Sequence, residues 1–188
     1  MRVLIACGGT GGHINPGLAI ADIIKSKYPD TEFLFAGTPK GMEAKLVPAA
    51  GYRFETIKVA GFQRRISLEN IGRNAKAVAY LITSGRRAKQ IIEGFKPDIA
   101  IGTGGYASGP VIRKAARMGI PTAIHEQNAY PGVTNKLLSK EVDHVMLTVK
   151  EALNFMDGSK FEHTVTGLPV RSNIKNSISR AEARKKLG

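Results

Sequence analysis

A histidine at the end of a glycine-rich turn, Gly8-Gly9-Thr10-Gly11-Gly12-His13, is the first group in this chain equipped for chemistry. The turn follows an apolar run, Arg2 to Ala6, and leads into a helix-like stretch, an arrangement that gathers backbone amides around an anion such as phosphate. A helix N-terminus disfavours an imidazolium, so His13 is expected to be neutral near pH 7 and able to accept a proton from a hydroxyl group. A second turn, Gly102-Thr103-Gly104-Gly105-Tyr106-Ala107-Ser108-Gly109, carries an aromatic ring that can either lie on a ligand or anchor the loop. Ser108 is placed to cap a helix expected from Pro110. The densest polar cluster, His125-Glu126-Gln127-Asn128, follows the apolar run Pro121 to Ile124. In an extended backbone Glu126 and Asn128 share one face and His125 and Gln127 the other, so one pair can meet substrate while the other supports it.

Two familiar uses of such a first turn fail on spacing. A dinucleotide fingerprint read from Gly9 needs glycine at position 14, where Ile14 stands, and the second strand runs into Ala36-Gly37 rather than an acid. A phosphate loop of the Walker type needs Gly-Lys-Ser/Thr entering the helix, but the sequence enters with Gly12-His13-Ile14. What remains is a turn whose amides approach a diphosphate, with the Thr10 hydroxyl added. Neither a cofactor nor a metal is expected.

These turns need a scaffold, and the rest of the chain supplies its pattern. Strand-like runs at Arg2 to Ala6, Glu32 to Ala36, Phe54 to Val59, Ile99 to Gly102, Thr122 to His125, His144 to Leu147 and Thr164 to Thr166 alternate with amphipathic stretches of helical length. Those stretches are Gly17 to Lys27 behind an Asn15-Pro16 cap, Met42 to Ala50, Leu68 to Phe95, Pro110 to Met118, Thr134 to Ser139 and Lys150 to Met156. The alternation predicts an α/β fold, a Rossmann-like doubly wound parallel sheet with ligands at the carboxyl ends of its strands. Gly167-Leu168-Pro169 stops the last strand, and Ser179 caps a new helix, Arg180 to Leu187, with almost no apolar face. The expected division is therefore a domain over 1–167 followed, over 168–188, by a linker and the entrance to a second domain.

Composition narrows the partners. The chain is 43% apolar and 23% charged, which excludes a disordered protein, and its single cysteine excludes an internal disulfide and points to a reducing compartment. No apolar run is long enough to cross a bilayer. The formal charge of +13 is concentrated between Arg64 and Arg117, where eleven basic residues face three acids. An anionic lipid surface, a phosphorylated substrate or a merely solvated face all fit that excess. Over Leu68 to Phe95 basic and apolar faces share one helical region, which suits either an anionic bilayer or packing on the sheet. Nucleic acid is not expected, because aromatic platforms and recognition motifs are missing.

Several stretches together carry a specific resemblance: Gly8 to Pro16, Gly37 to Glu43 with Leu46-Val47-Pro48, Gly104 to Pro110, Ile120 to Asn128, Pro131 to Lys136 and Thr166 to Arg171. In this order they resemble the MurG family of bacterial glycosyltransferases, glycosyltransferase family 28, over nearly the whole chain. The resemblance implies the N-terminal, acceptor-binding domain of a two-domain GT-B enzyme on the cytoplasmic face of the bacterial membrane, peripherally attached. Such an enzyme transfers N-acetylglucosamine from UDP-N-acetylglucosamine to the undecaprenyl-linked muramyl pentapeptide, lipid I, giving lipid II for peptidoglycan. It further implies that Thr10, Gly11, Gly12, Asn128 and Arg171 touch the donor across the cleft, and that the glycine turns, with Gly104, Gly105 and Tyr106, hold the acceptor diphosphate. His13 and Glu126 become the candidates for the base or for acceptor positioning. Leu168 departs from the asparagine usual in the family before Pro169-Val170-Arg171. Most donor contacts belong to the other domain, so the chain alone is expected to turn over little or nothing. The competing expectations are a non-catalytic acceptor-binding subunit and a related transferase acting on diacylglycerol.

Overall fold

Short apolar runs closed by glycine or proline become strands, and the longer amphipathic runs between them become the helices that cover the sheet. The computed structural model describes residues 1–59, 83–156, 161–171 and 179–187. Its elements are β1 (Arg2–Ala6), α1 (Gly11–Lys27), β2 (Glu32–Gly37), α2 (Glu43–Ala49) and β3 (Arg53–Thr56). They continue through α3 (residues 83–95), β4 (Ile99–Gly102), α4 (Ser108–Arg117), β5 (Thr122–Glu126), α5 (Val133–Leu138) and β6 (His144–Leu147). A 3₁₀ helix (Lys150–Phe155), β7 (Glu162–Val165) and α6 (Arg180–Leu187) complete the described chain.

The seven strands form one sheet in the order β3-β2-β1-β4-β5-β6-β7, and every neighbouring pair is parallel. The expected doubly wound α/β fold is therefore present. From β1 the chain builds outward through β2 and β3, then returns to lay β4 on the other side of β1. The loops after β1 and β4 consequently diverge from one point, the place where such sheets open a ligand crevice. Alternation along β1 divides the core: Val3, Ile5 and Cys7 pack with Ile14, Leu18 and Ala21 of α1, while Leu4 and Ala6 pack with Ile91, Ile92, Val111 and Ile112 of α3 and α4.

Element ends differ from the sequence expectation in ways that matter for the site. Helix α1 begins at Gly11, not Gly17, because Thr10 is extended (φ −139°, ψ 158°) and its carbonyl accepts from the amides of His13 and Ile14. Pro16 thus lies inside the helix, where it has no N–H to give the carbonyl of Gly12. Helix α4 starts at Ser108 itself, whose buried hydroxyl has no hydrogen-bond partner among the described residues. The stretch from Lys150 is a 3₁₀ helix. Ser179 and Glu182 do form the expected cap: the Ser179 hydroxyl accepts from the Glu182 amide at 3.3 Å, and the Glu182 carboxylate accepts from the Ser179 amide at 2.9 Å.

Of the helix expected over Leu68 to Phe95, residues 68–82 lie outside the described residues; in the remainder Ala88, Ile91, Ile92 and Phe95 pack into the core. Part of the basic excess is paired, Arg87 with Glu55 at 2.6 Å and Arg113 with Glu141 at 2.8 Å. Arg64, Arg65, Arg73 and Lys76 lie outside the described residues.

Candidate functional site

The turn after β1 is shaped by a carboxylate from the next strand–helix junction. Glu43, fully buried in the first turn of α2, accepts hydrogen bonds from the amide of Gly9 (3.1 Å), the amide of Thr38 (2.8 Å) and the Thr38 hydroxyl (2.6 Å). Glycines make room for it, since a Cβ at Gly8 would stand 2.6 Å from Glu43 Oε1 and one at Gly37 would stand 2.5 Å from its Cγ. Burial alone would raise the carboxyl pKa, but the hydrogen bonds from Thr38 and Gly9 outweigh it and hold the group below its ordinary value. Burial, and secondarily Glu43, pushes the Cys7 thiol up to about 12, so it stays protonated. The Gly9 amide is committed to Glu43. The amides of Gly11 and Gly12 open α1 and have no acceptor within the helix.

The lowered pKa ties Glu43 to acid stability. Its contribution is complete above the ordinary value of 4.5 and is lost as pH falls through the lower folded value. Glu43→Gln is expected to cost about 2 kcal/mol at neutral pH and to flatten the acid limb of the stability profile below pH 4.5. Urea melts at several pH values would check this; an unchanged acid limb would count against it.

The turn after β4 lies directly on the first. The Thr103 hydroxyl donates to the His13 carbonyl at 2.7 Å, and the Thr103 amide donates to Ala6 at 3.0 Å. Gly104 and Gly105 both have positive φ, 99° and 83°. A Cβ on Gly104 would lie 2.8 Å from His13 Nδ1, and one on Gly105 would collide with the Gly8 carbonyl oxygen. Both the conformation and the close approach therefore require glycine. Tyr106, beside them, is 65% exposed.

The end of β5 completes the rim, and its four polar residues pair as their alternation predicts. Gln127 Nε2 contacts His125 Nδ1 at 3.1 Å, and Asn128 Nδ2 donates to Glu126 Oε1 at 3.0 Å. Gln127 Oε1 also reaches His13 Nδ1 at 3.0 Å. His125 is buried; desolvation lowers its pKa against the opposing effects of the Gly167 carbonyl and Glu126. Glu126 is 1% exposed and accepts from four donors, the amides of Asn128 (2.9 Å) and Gly132 (3.1 Å) and the side chains of Asn128 (3.0 Å) and Asn135 (2.8 Å). The carboxylate thus holds the β5–α5 loop, a role the sequence did not assign to it.

Thr10, Gly11, Gly12, His13, Gly104 and Gly105 thus meet at one rim, with Gln127 joined to His13 and with Tyr106 and Asn128 exposed beside them. Arg171 does not join them. Its Nε lies 3.3 Å from Asp22 Oδ2, whose other oxygen accepts from the Tyr52 hydroxyl at 2.7 Å. Asp22 is about 16 Å along α1 from Gly11 at 1.5 Å per residue, so in this arrangement Arg171 serves the helix flank rather than the crevice. Sequence reasoning assigned no role to Glu43 or Thr103 and did not pair Gln127 with His13. An acidic residue opening α2 was a visible signal, but nothing in its spacing pointed back to Gly9.

Residues 3–147 match the model of the glycosyltransferase family 28 N-terminal domain. The chain belongs to this family. It is 53% identical over its whole length to the UDP-N-acetylglucosamine--N-acetylmuramyl-(pentapeptide) pyrophosphoryl-undecaprenol N-acetylglucosamine transferase of Acetivibrio thermocellus, covering 49% of that protein. It is 45% identical to the enzyme of the same name from Clostridioides difficile, over 93% of this chain and 42% of the relative. The crystal structure of Acinetobacter baumannii MurG superposes with a TM-score of 0.71 at 27% identity, over 98% of this chain and 48% of that one. The chain spans about half the length of the curated relatives it matches. A UDP co-structure of S. aureus MnaA, at TM-score 0.65 and 14% identity, shares the fold.

Proposed function

We propose that this chain is the acceptor-binding half of a family 28 N-acetylglucosaminyltransferase that converts lipid I to lipid II, with UDP-N-acetylglucosamine as donor. The observation that carries the reading is the placement of His13 at the start of α1, between two touching glycine turns at the switch point of the sheet. The acceptor diphosphate would lie against the opening amides of α1 and the Thr10 hydroxyl, with Gly104, Gly105 and Tyr106 forming the adjoining wall. The muramyl hydroxyl attacks the anomeric carbon of the donor as the bond to UDP breaks, with inversion, and its proton passes to His13. Asn128, exposed on the rim, is assigned to the donor side; Arg171 would join it only after leaving Asp22. Residues 1–167 form the acceptor domain in this reading, and 168–188 lead to the donor domain. The deciding experiment is transfer of labelled N-acetylglucosamine to a short-chain lipid I analogue by the chain mixed with the donor domain of a family relative. Transfer by the mixture and not by either part supports the reading; failure even to bind the analogue removes it.

A lipid-linked acceptor places the work at a bilayer surface, and the described residues offer a surface for it. No helix among them is long and apolar enough to span a membrane. Tyr130 and Phe155 are in edge contact at 4.8 Å, Lys136 Nζ stands 4.0 Å from the Tyr130 ring centroid, and Val133 and Leu137 beside them are exposed. This apolar cluster with its lysine follows the carboxyl ends of β5 and β6, on the same rim as the glycine turns. Rings with a cationic collar suit an anionic interface. The chain has no tryptophan, so Phe155→Trp is expected to blue-shift and be quenched by brominated lipid in phosphatidylglycerol vesicles. Tyr28→Trp, at the far end of α1, should do neither; equal quenching at both positions would refute this docking face.

A further inference from the structure

We infer that Gln127 is a positioning residue that, together with His125, fixes which ring nitrogen of His13 carries the proton; this deepens the reading of His13 as base and rests on it. Two backbone carbonyls decide every proton in the set, because a carbonyl oxygen only accepts. Gln127 Nε2 lies 2.9 Å from the His125 carbonyl oxygen, so the amide atom on that side is the NH₂ group and the opposite atom is the oxygen. That oxygen faces His13 Nδ1 at 3.0 Å and has no proton to offer, so His13 Nδ1 is the donor. At the other end His125 Nε2 lies 3.0 Å from the Gly167 carbonyl oxygen and donates to it. His125 Nδ1 is left to accept the second N–H of Gln127 at 3.1 Å, which makes His125 neutral, as its complete burial also favours.

The bonds therefore run in one direction, from His13 to Gln127, from Gln127 to His125 and from His125 to Gly167. Neutral His13 carries its hydrogen on Nδ1 and its lone pair on Nε2. A base with the other tautomer would present a hydrogen where the hydroxyl proton has to go. Gly104 backs the same ring closely enough that a Cβ there would stand 2.9 Å from His13 Cε1, so ring position and protonation pattern are set from two sides. Gly167, with φ 74°, opens the stretch leading to Arg171, so the chain of bonds ties that segment to the rim.

Long-range ¹H–¹⁵N spectra of the chain labelled in its four histidines would read each tautomer directly, with exposed His163 as an internal reference. The expected result is His13 in the Nδ1–H form and His125 in the Nε2–H form. Gln127→Leu should move His13 toward the Nε2–H form preferred by the free side chain. Gln127→Glu can still accept from His13 but has no N–H for His125, so it should preserve the His13 pattern and alter that of His125. Finding His13 as Nε2–H in the unmodified chain overturns the inference. So does an unchanged His13 in a folded Gln127→Leu sample, and if that variant does not fold, the unmodified chain and Gln127→Glu decide the matter. Transfer activity enters none of these readings. His13→Ala without effect on transfer would remove the base and leave the tautomer assignment standing.

Discussion

His13→Ala is expected to cut transfer by about 10²- to 10⁴-fold, the usual contribution of a positioned base, while leaving the fold intact. The side chain is half-buried at the rim, and among the described residues its ring bonds only Gln127. The main-chain bond from the Thr103 hydroxyl to the His13 carbonyl survives the substitution. In the proposed reading the loss should appear in kcat more than in KM, because a proton acceptor acts in the transition state while the amides of Gly11 and Gly12 would still hold the diphosphate. The test is the mixture with a donor domain described above, run across pH. A variant with undiminished kcat, or one whose loss lies wholly in KM, would move His13 from base to acceptor binding.

The second large effect falls on stability. Glu126→Gln is expected to destabilise the chain by about 3 kcal/mol, because all four partners of the carboxylate are donors. A glutamine keeps one oxygen for two of them and turns an NH₂ group toward the others, so the usual isosteric replacement cannot restore the set. Asn135 is also buried, and although its amide still donates to the His125 carbonyl, its second N–H loses its acceptor where water cannot reach it. Urea denaturation would measure the loss, and transfer measured well below the melting point would separate it from catalysis. A variant of normal stability that fails to transfer would return Glu126 to the role of base.

His13, in the first turn of α1 just past β1, and Glu126, the last residue of β5, both stand at strand carboxyl ends, where the sequence pattern placed them. The alternation of apolar runs with amphipathic stretches was enough to give the α/β class and the parallel sheet, since parallel strands buried on both faces read as short continuous apolar runs. The paired glycine turns were legible because only glycine tolerates the positive φ and the close approach they require, as at Gly104 and Gly105. The two-residue alternation of a strand was enough to pair His125 with Gln127 and Glu126 with Asn128.

Local pattern misplaced the start of α1. Proline after asparagine is a fair sign of a helix N-terminus, yet the extended Thr10 opens the helix six residues earlier and leaves Pro16 inside it. Three assignments depended on groups distant in the chain. Glu43 takes the amide of Gly9 across 34 positions, Gln127 reaches His13 across 114, and Arg171 goes to Asp22 across 149. No periodicity encodes such pairs. The sequence by itself determined the fold class, the two turns and the residues able to do chemistry, because backbone sterics and hydrophobic periodicity are local. Only the tertiary structure decided which of those residues meets the crevice, because a side chain's role depends on donors and acceptors that the sheet order brings to it.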